Sequence, residues 1–316
     1  MRIIIRKVMG HPLLKKAPPV LVDIGASGSL PKQWKLIAPY SICVGFDADT
    51  RDFAVSESEN GDWKKLYLFN RLISTKSSSE VDFYLTKSPY CSSTLKPDNE
   101  ALKPWAFSTL FEVDKVVKLP AADLHSVLEK IGITYIDWYK TDSQGTDLRI
   151  FDALPKSIIR KIISADFEPG IIDAYMGEDK LHQLMAYMDK QPFWVSHMEV
   201  KGSQRIDQDD LQNLNYLKRR FISSFLKTAP GWCEISYINK LSDKEMSCRE
   251  YLLGWVFATM KGEHGFAIQA AKDGAIKFEE PLFNELHNIS HNSLSSASGV
   301  FKVAVKASKK VLRILS

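Results

Sequence analysis

The chain of 316 residues is short of several things. Its four cysteines, Cys43, Cys91, Cys233 and Cys248, are scattered and never form a C-x-x-C pair. That excludes a zinc or disulfide framework and reads as reduced structural thiols in a cytosolic protein. No run of 18 apolar residues occurs, so no membrane-spanning helix is expected. The basic leader Met1 to Lys16 holds only Ile3-Ile4-Ile5 as an apolar stretch, too short for a secretory signal. Acid is missing at both ends. Arg2, Arg6, Lys7, Lys15 and Lys16 stand unopposed in 1–16, and Lys302, Lys306, Lys309, Lys310 and Arg313 in 296–316. The formal net charge is +4, so the middle of the chain is mildly acidic, which speaks against a nucleic-acid groove there.

With 45% hydrophobic and 25% charged residues, the composition is that of an ordinary globular protein able to bury a large core. The most informative stretch is Val20 to Asp49. An apolar run, Val20-Leu21-Val22 then Ile24, carries Asp23 and breaks into Gly25-Ala26-Ser27-Gly28. Such glycine-bounded runs are buried parallel strands. Helix-compatible residues from Pro31 to Ala38 lead to a second strand, Ile42 to Phe46, that ends on Asp47. A strand–turn–helix–strand unit of this kind offers backbone N–H groups at the turn. It also offers an acid one unit later, able to accept both hydroxyls of a ribose. The turn is G-x-x-G and not G-x-G-x-x-G, and Asp23 would repel a diphosphate while suiting a ligand with an ammonium and a sulfonium. The pattern looks like the cofactor site of class I S-adenosylmethionine-dependent methyltransferases. Two other readings stay open: an ordinary βα turn, and a D-x-D metal site of a glycosyltransferase formed by Asp47-Ala48-Asp49.

Further on, the sequence predicts a third strand from Lys65 to Ile73 with Asn70 near its end, and an alternating strand from Val81 to Leu85. A hydroxyl-rich loop, Ser88 to Leu95, follows. Glu112 to Leu119 reads as a strand, and Ala121 to Ile131 as a helix opened by Pro120. A second informative stretch, Tyr135 to Leu148, reads as a strand running into Asp142, a turn over Ser143 to Gly145, and a helix through Leu154. In a doubly wound sheet this strand lies across the switch point from the first. Strands are expected at Lys161 to Glu168, Phe193 to Lys201 and Trp232 to Asn239, and helices at Glu178 to Met188 and Asp209 to Leu226.

These segments in order, D-I-G-A-S-G, F-D-A-D, N-R-L-I-S, V-D-F-Y-L, S-P-Y-C-S-S and K-T-D-S-Q-G-T-D-L, resemble the FkbM-type methyltransferases over Val20 to Glu168, about half the chain. The resemblance implies a seven-stranded Rossmann-like α/β sheet whose seventh strand is inserted antiparallel beside the sixth. It implies S-adenosyl-L-methionine as cofactor and O-methylation of a sugar, glycan or other small-molecule hydroxyl. Carried over, Asp23, Gly25 and Gly28, with Ala26 between them, would line the methionine part of the cofactor. Asp47 would bind the ribose and Asn70 would sit by the adenine. Lys140, Asp142 and Gln144 would stand at the methyl-transfer end, with Asp142 either a base or a cofactor ligand. No metal is implied. Two departures stand out: Thr141 replaces an apolar residue and Asp147 replaces the usual glutamate. A side chain at Gly25 is expected to exclude the cofactor and leave the fold intact. A binding or scaffold protein of the same fold is the alternative from another class.

The expected organisation is a leader (1–19), a methyltransferase domain (20–240), a C-terminal all-helical appendage (241–291), and a linker with a basic amphipathic tail (292–316). Helical spacing of apolar residues supports Asp243 to Met260, Phe266 to Ala271 and Phe278 to Leu286. His287 and His291 have a chelating spacing but no third ligand nearby, and read as a surface loop. Phe301 to Leu315 is able to lie in an anionic membrane interface, each cation adding roughly 1 kcal/mol. Docking on the appendage with its lysines in water is the other reading. The protein is thus expected in the cytoplasm, with peripheral contact at the inner membrane face under the first of these.

Overall fold

A computed structural model describes residues 1–26, 30–49, 51, 62–215, 218 and 226–294. The tail from Phe301 to Leu315 and Gly28 lie outside the described residues, as does most of the helix expected beyond Leu214.

The chain is α/β. Seven strands form one sheet: β1 (Val20–Ile24), β2 (Ile42–Asp47), β3 (Lys65–Asn70), β7 (Trp138–Thr141), β8 (Ser164–Phe167), β9 (Phe193–Gln204) and β10 (Thr228–Asn239). Their order is β3-β2-β1-β7-β8-β10-β9. Neighbours from β3 to β8 are parallel, and β10 runs antiparallel to both β8 and β9. The sheet is therefore mostly parallel, compatible with a Rossmann-like fold, with one reversed strand at the position expected. The remaining strands, β4 (Leu72–Ser74), β5 (Ser78–Thr86) and β6 (Val113–Asp123), make a second sheet in the order β4-β6-β5.

β1 and β2 read as near-continuous apolar runs, and all but one of their residues are buried. Every residue of β1 is buried, Asp23 included. Tyr139, Phe151, Phe167 and Tyr237 stack edge-on across one face, with centroid spacings of 5.1 Å for Tyr139–Phe151 and 6.1 Å for Phe167–Tyr237. Trp34 and Trp138 meet at 5.8 Å. Burying each such ring contributes roughly 1.5–3 kcal/mol.

Several boundaries differ from expectation. Pro31 to Ala38 is not an α-helix but a 3-10 turn, Lys32–Leu36, followed by another at Ala38–Tyr40, with Pro39 at its start. Proline lacks the N–H that a longer helix would need there. The run from Lys65 to Ile73 is two strands. β3 ends at Asn70, the chain turns at Arg71, and Leu72–Ser74 joins the second sheet. Pro120 does not open a helix: β6 continues through it, and the helix Leu124–Lys130 is capped by Asp123, whose side chain accepts from Ser126 N.

Residues 9–240 form one compact unit, and Ile3–Val8 with 241–294 form another. In the latter the helix Cys248–Met260 opens with a reciprocal Ser247/Glu250 capping box. The helix His264–Lys277 and a helix over 282–294 follow it. Trp255 Nε1 donates to Ser290 Oγ at 2.8 Å within this unit. His287 and His291 lie on the helix 282–294 and not in a loop, their rings stacked 6.4 Å apart. Among the described residues no helix is long and apolar enough to cross a membrane.

A close backbone approach at the carboxyl end of β1 falls at Gly25, which sits at φ 81°. Asp142 N donates to Ile24 O at 2.9 Å, and a Cβ on Gly25 would run into the Asp142 carbonyl. A side chain there therefore strains the fold itself, contrary to expectation. Gly25→Ala is expected to destabilise by roughly 2–4 kcal/mol, from the left-handed φ and the clash together. The measurement is urea unfolding: the midpoint should fall at constant m-value. An unchanged midpoint would show that the turn yields without cost.

Candidate functional site

Ligands of open α/β sheets bind beyond the carboxyl ends of the strands, where the strand order reverses. Here that point lies between β1 and β7, and a cleft of ≈ 670 Å³, counted out to its mouth, opens over it. Gly25, Asp47, Asp142 and Gln144 line it, as do Leu72 and Phe83 of the second sheet.

The turn after β1 behaves differently from a simple anion cradle. Gly25 N and Ala26 N both donate to Phe46 O at 2.9 Å, so these two N–H groups tie the turn to β2. Ala26 is buried. Asp47, at the end of β2, lines the cleft, and its Oδ1 accepts from Asp49 N at 2.8 Å. Asp49 is held by Arg51, with Nε to Oδ1 at 3.0 Å and Nη2 to Oδ2 at 2.6 Å. Arg51 also reaches Thr86 O and Ser92 Oγ, both at 2.9 Å. Burial opposes it, yet the hydrogen bonds and charge of Arg51 hold the Asp49 carboxyl below its usual range. Asn70 is not on the cleft wall; its Nδ2 donates to Asp47 O at 3.0 Å and so braces the end of β2.

Asp23 and Lys140 face each other across the β1–β7 register, and Lys140 Nζ donates to Asp23 Oδ1 at 2.7 Å. Neither lines the cleft. Burial works against the Lys140 ammonium, but Asp23, Asp142 and Asp166 raise it well above the ordinary lysine value. It is a fixed cation and no proton acceptor. Asp23 Oδ2 is buried and accepts no hydrogen bond from the described residues.

The loop after β7 is built around two acids. Asp147, buried at the start of the helix Asp147–Asp152, accepts at Oδ1 from Thr141 Oγ1 (3.0 Å), Ser143 N (2.8 Å) and Ser143 Oγ (2.5 Å). Its Oδ2 accepts from Glu168 N at 3.0 Å, which ties the β7 loop to the end of β8. Thr141 and Asp147 are thus partners, the hydroxyl donating to the carboxylate. Asp142 accepts at Oδ1 from Gln144 Nε2 at 2.5 Å. Gln144 sits in the left-handed region at φ 56°, its carbonyl accepting from Ser93 Oγ at 2.7 Å and its Oε1 from Tyr175 OH at 2.8 Å.

Tyr90, Asp142 and Gln144 also line a second cleft, ≈ 1170 Å³ to its mouth. Its far wall is a chain of rings: Trp232 to Phe107 at 6.2 Å, Phe107 to Phe111 at 5.2 Å and Phe111 to Tyr175 at 5.5 Å. Glu168 lies on this cleft, and its carboxyl has no hydrogen-bond partner among the described residues. Burial, then the charges of Asp142, Glu234 and Asp147, push the Glu168 carboxyl up to about 9, with Lys140 working against them. Burial pushes Asp142 up to about 6, Lys140 again opposing. Sequence reading missed Glu168 and the ring wall. The only signal was Glu168's place at the end of a buried strand, just before Pro169-Gly170.

No family model matches this chain, and no curated protein matches it in sequence. Among the described residues no group of three or more His, Cys, Asp or Glu is arranged to hold a metal ion.

The raised carboxyls make stability depend on pH. A carboxyl whose folded value lies above its unfolded value binds its proton more tightly when folded. Its contribution is full below the ordinary carboxylate range and is lost as pH rises, through about 6 for Asp142 and about 9 for Glu168. Glu168→Gln removes the second loss. It should melt about 2 °C or more above the parent at about pH 8.5, and level with it at about pH 4.5. Equal differences at both pH values would show that Glu168 is not destabilised by ionising.

Proposed function

We propose that this chain is an S-adenosylmethionine-dependent O-methyltransferase of the FkbM type. Its large sheet is then the Rossmann-like methyltransferase sheet and its C-terminal helices an appendage. The observation that carries the reading is the coincidence of strand order and site. β10 alone is reversed beside β9, and Asp47 at the end of β2 and Asp142 just after β7 share one cleft at the switch point.

The residues suit the cofactor. Asp47 offers a carboxylate to a pair of ribose hydroxyls, and Leu72 and Phe83 offer an apolar slot to a flat base. Asp142 brings negative charge to the junction of the two clefts, where a cation is favoured. Bound S-adenosylmethionine supplies a methyl group on a sulfonium. Asp23 acts through Lys140 and the sheet, with its charge already matched. Gln144, fixed by Tyr175 and Ser93, orients the Asp142 carboxylate. A metal-dependent D-x-D transferase is the poorer reading, because Arg51 already occupies both oxygens of Asp49. A hydroxyl of a sugar, glycan or secondary metabolite remains the proposed acceptor.

Calorimetry with S-adenosylmethionine and S-adenosylhomocysteine tests the reading, and binding of neither would overturn it. Asp47→Ala is expected to weaken both by about 2 kcal/mol, the worth of charge-assisted hydrogen bonds to two hydroxyls. Asp142→Asn keeps the shape and removes the charge. It should weaken S-adenosylmethionine about tenfold and the homocysteine product much less, since only the former carries the sulfonium. Equal weakening of the two would take Asp142 away from the sulfonium.

A further inference from the structure

The second cleft has a chemical character that its position alone does not require. Three acids line it, Asp142, Glu168 and Glu178, and among the described residues on its wall none is lysine or arginine. Glu178 is spoken for: its Oε1 accepts from Ala174 N at 2.6 Å, Tyr175 N at 3.3 Å and Lys180 Nζ at 2.7 Å. Asp142 is held by Gln144. Glu168 is left with a carboxyl that takes no hydrogen bond from the described residues, on a cleft otherwise walled by Phe107, Phe111, Tyr175 and Trp232.

An anionic ligand would meet the Asp142 carboxylate and no cation on the wall, and would exchange its hydration for repulsion. A purely apolar ligand would leave the Glu168 carboxyl desolvated without a partner. An uncharged compound with a hydroxyl and an apolar face satisfies both walls: the face lies on the rings and the hydroxyl pairs with Glu168. We infer that the second cleft is the acceptor site, and that it selects an uncharged hydroxyl compound with an apolar ring face, Glu168 holding the hydroxyl and the Phe107–Trp232 wall holding the ring. Burial keeps Glu168 protonated at neutral pH, so it meets a hydroxyl as both donor and acceptor, which suits the same ligand. The inference rests on the methyltransferase reading for the word acceptor; the binding site itself stands apart from it.

The test uses a matched pair of probes that differ by one carboxylate, 4-nitrophenyl β-glucoside and 4-nitrophenyl β-glucuronide. Binding to the full chain is followed by saturation-transfer NMR and calorimetry, with and without S-adenosylhomocysteine. The glucoside is expected to bind at least about tenfold more tightly than the glucuronide, the effect of one unfavourable charge contact. Glu168→Ala and Trp232→Leu should each weaken the glucoside about tenfold, with circular dichroism confirming that the variants are folded. If Trp232→Leu does not fold, Glu168→Ala carries the result, since the Glu168 side chain makes no hydrogen bond to described residues whose loss would unfold it. Stronger binding of the glucuronide, binding of neither probe, or glucoside binding unmoved in Glu168→Ala would each overturn the inference. Binding of the glucoside without any binding of S-adenosylhomocysteine would keep the cleft and overturn the methyltransferase reading instead.

Discussion

The site depends on a pair of charges, a buried Asp23 and a half-buried Lys140. Asp23 lies within β1, fully buried, where an unpaired carboxylate would not be tolerated. Lys140, its register partner on β7, meets it at 2.7 Å. Removing one member of such a pair leaves the other stranded, typically at about 3–5 kcal/mol. The pair also sets the field above it. Lys140 is held positive by Asp23, Asp142 and Asp166 together, and that positive charge keeps Asp142 from being pushed further up by burial.

Around that pair the loops are fixed by Asp147. Its two oxygens gather donors from the end of β7, from the turn and from the end of β8. A longer acid would reach past this arrangement, and an apolar residue at 141 would leave one oxygen with a donor fewer. This arrangement also explains why Glu168, one residue beyond β8, is held near Asp142: its own backbone N–H is part of the same cluster.

Much of this was legible before the structure. β1 and β2 are apolar runs between turn residues, and the reversed strand falls where the resemblance puts it. Asp47 and Asp142 reach the cleft because they end a strand or follow one directly, while Gln144 came only from the resemblance. What failed did so for local reasons. Leu72 and Ile73 continue the apolar run of β3 in sequence, and periodicity does not reveal that the chain turns at Arg71 and changes sheet. Pro120 carries a helix-opening signal, but β6 overrides it through pairing with β5. The hydrogen bonds from Gly25 and Ala26 to Phe46 O could not be read at all, since they depend on how closely β1 and β2 end together. The second cleft was invisible for a broader reason: its walls come from the segments around 90, 107–111, 168–175 and 232, which share no motif.

The two clefts meet at a residue whose backbone is held in an uncommon conformation. A non-glycine φ of 56° costs on the order of 1–2 kcal/mol and persists only where the surroundings over-determine it. At Gln144 they do, from three sides: Ser93 on its carbonyl, Tyr175 on its side-chain oxygen and Asp142 on its side-chain nitrogen. Glycine follows at 145, also at positive φ, where a Cβ would press on Glu178 at 2.9 Å. A loop relaxing to ordinary dihedrals would turn the Gln144 side chain away and leave Asp142 without its partner. Tyr175 belongs to the ring wall of one cleft, and Ser93 follows Ser92, which lines the other. The strained turn is therefore held from the walls of both clefts, with the Asp142 carboxylate between them.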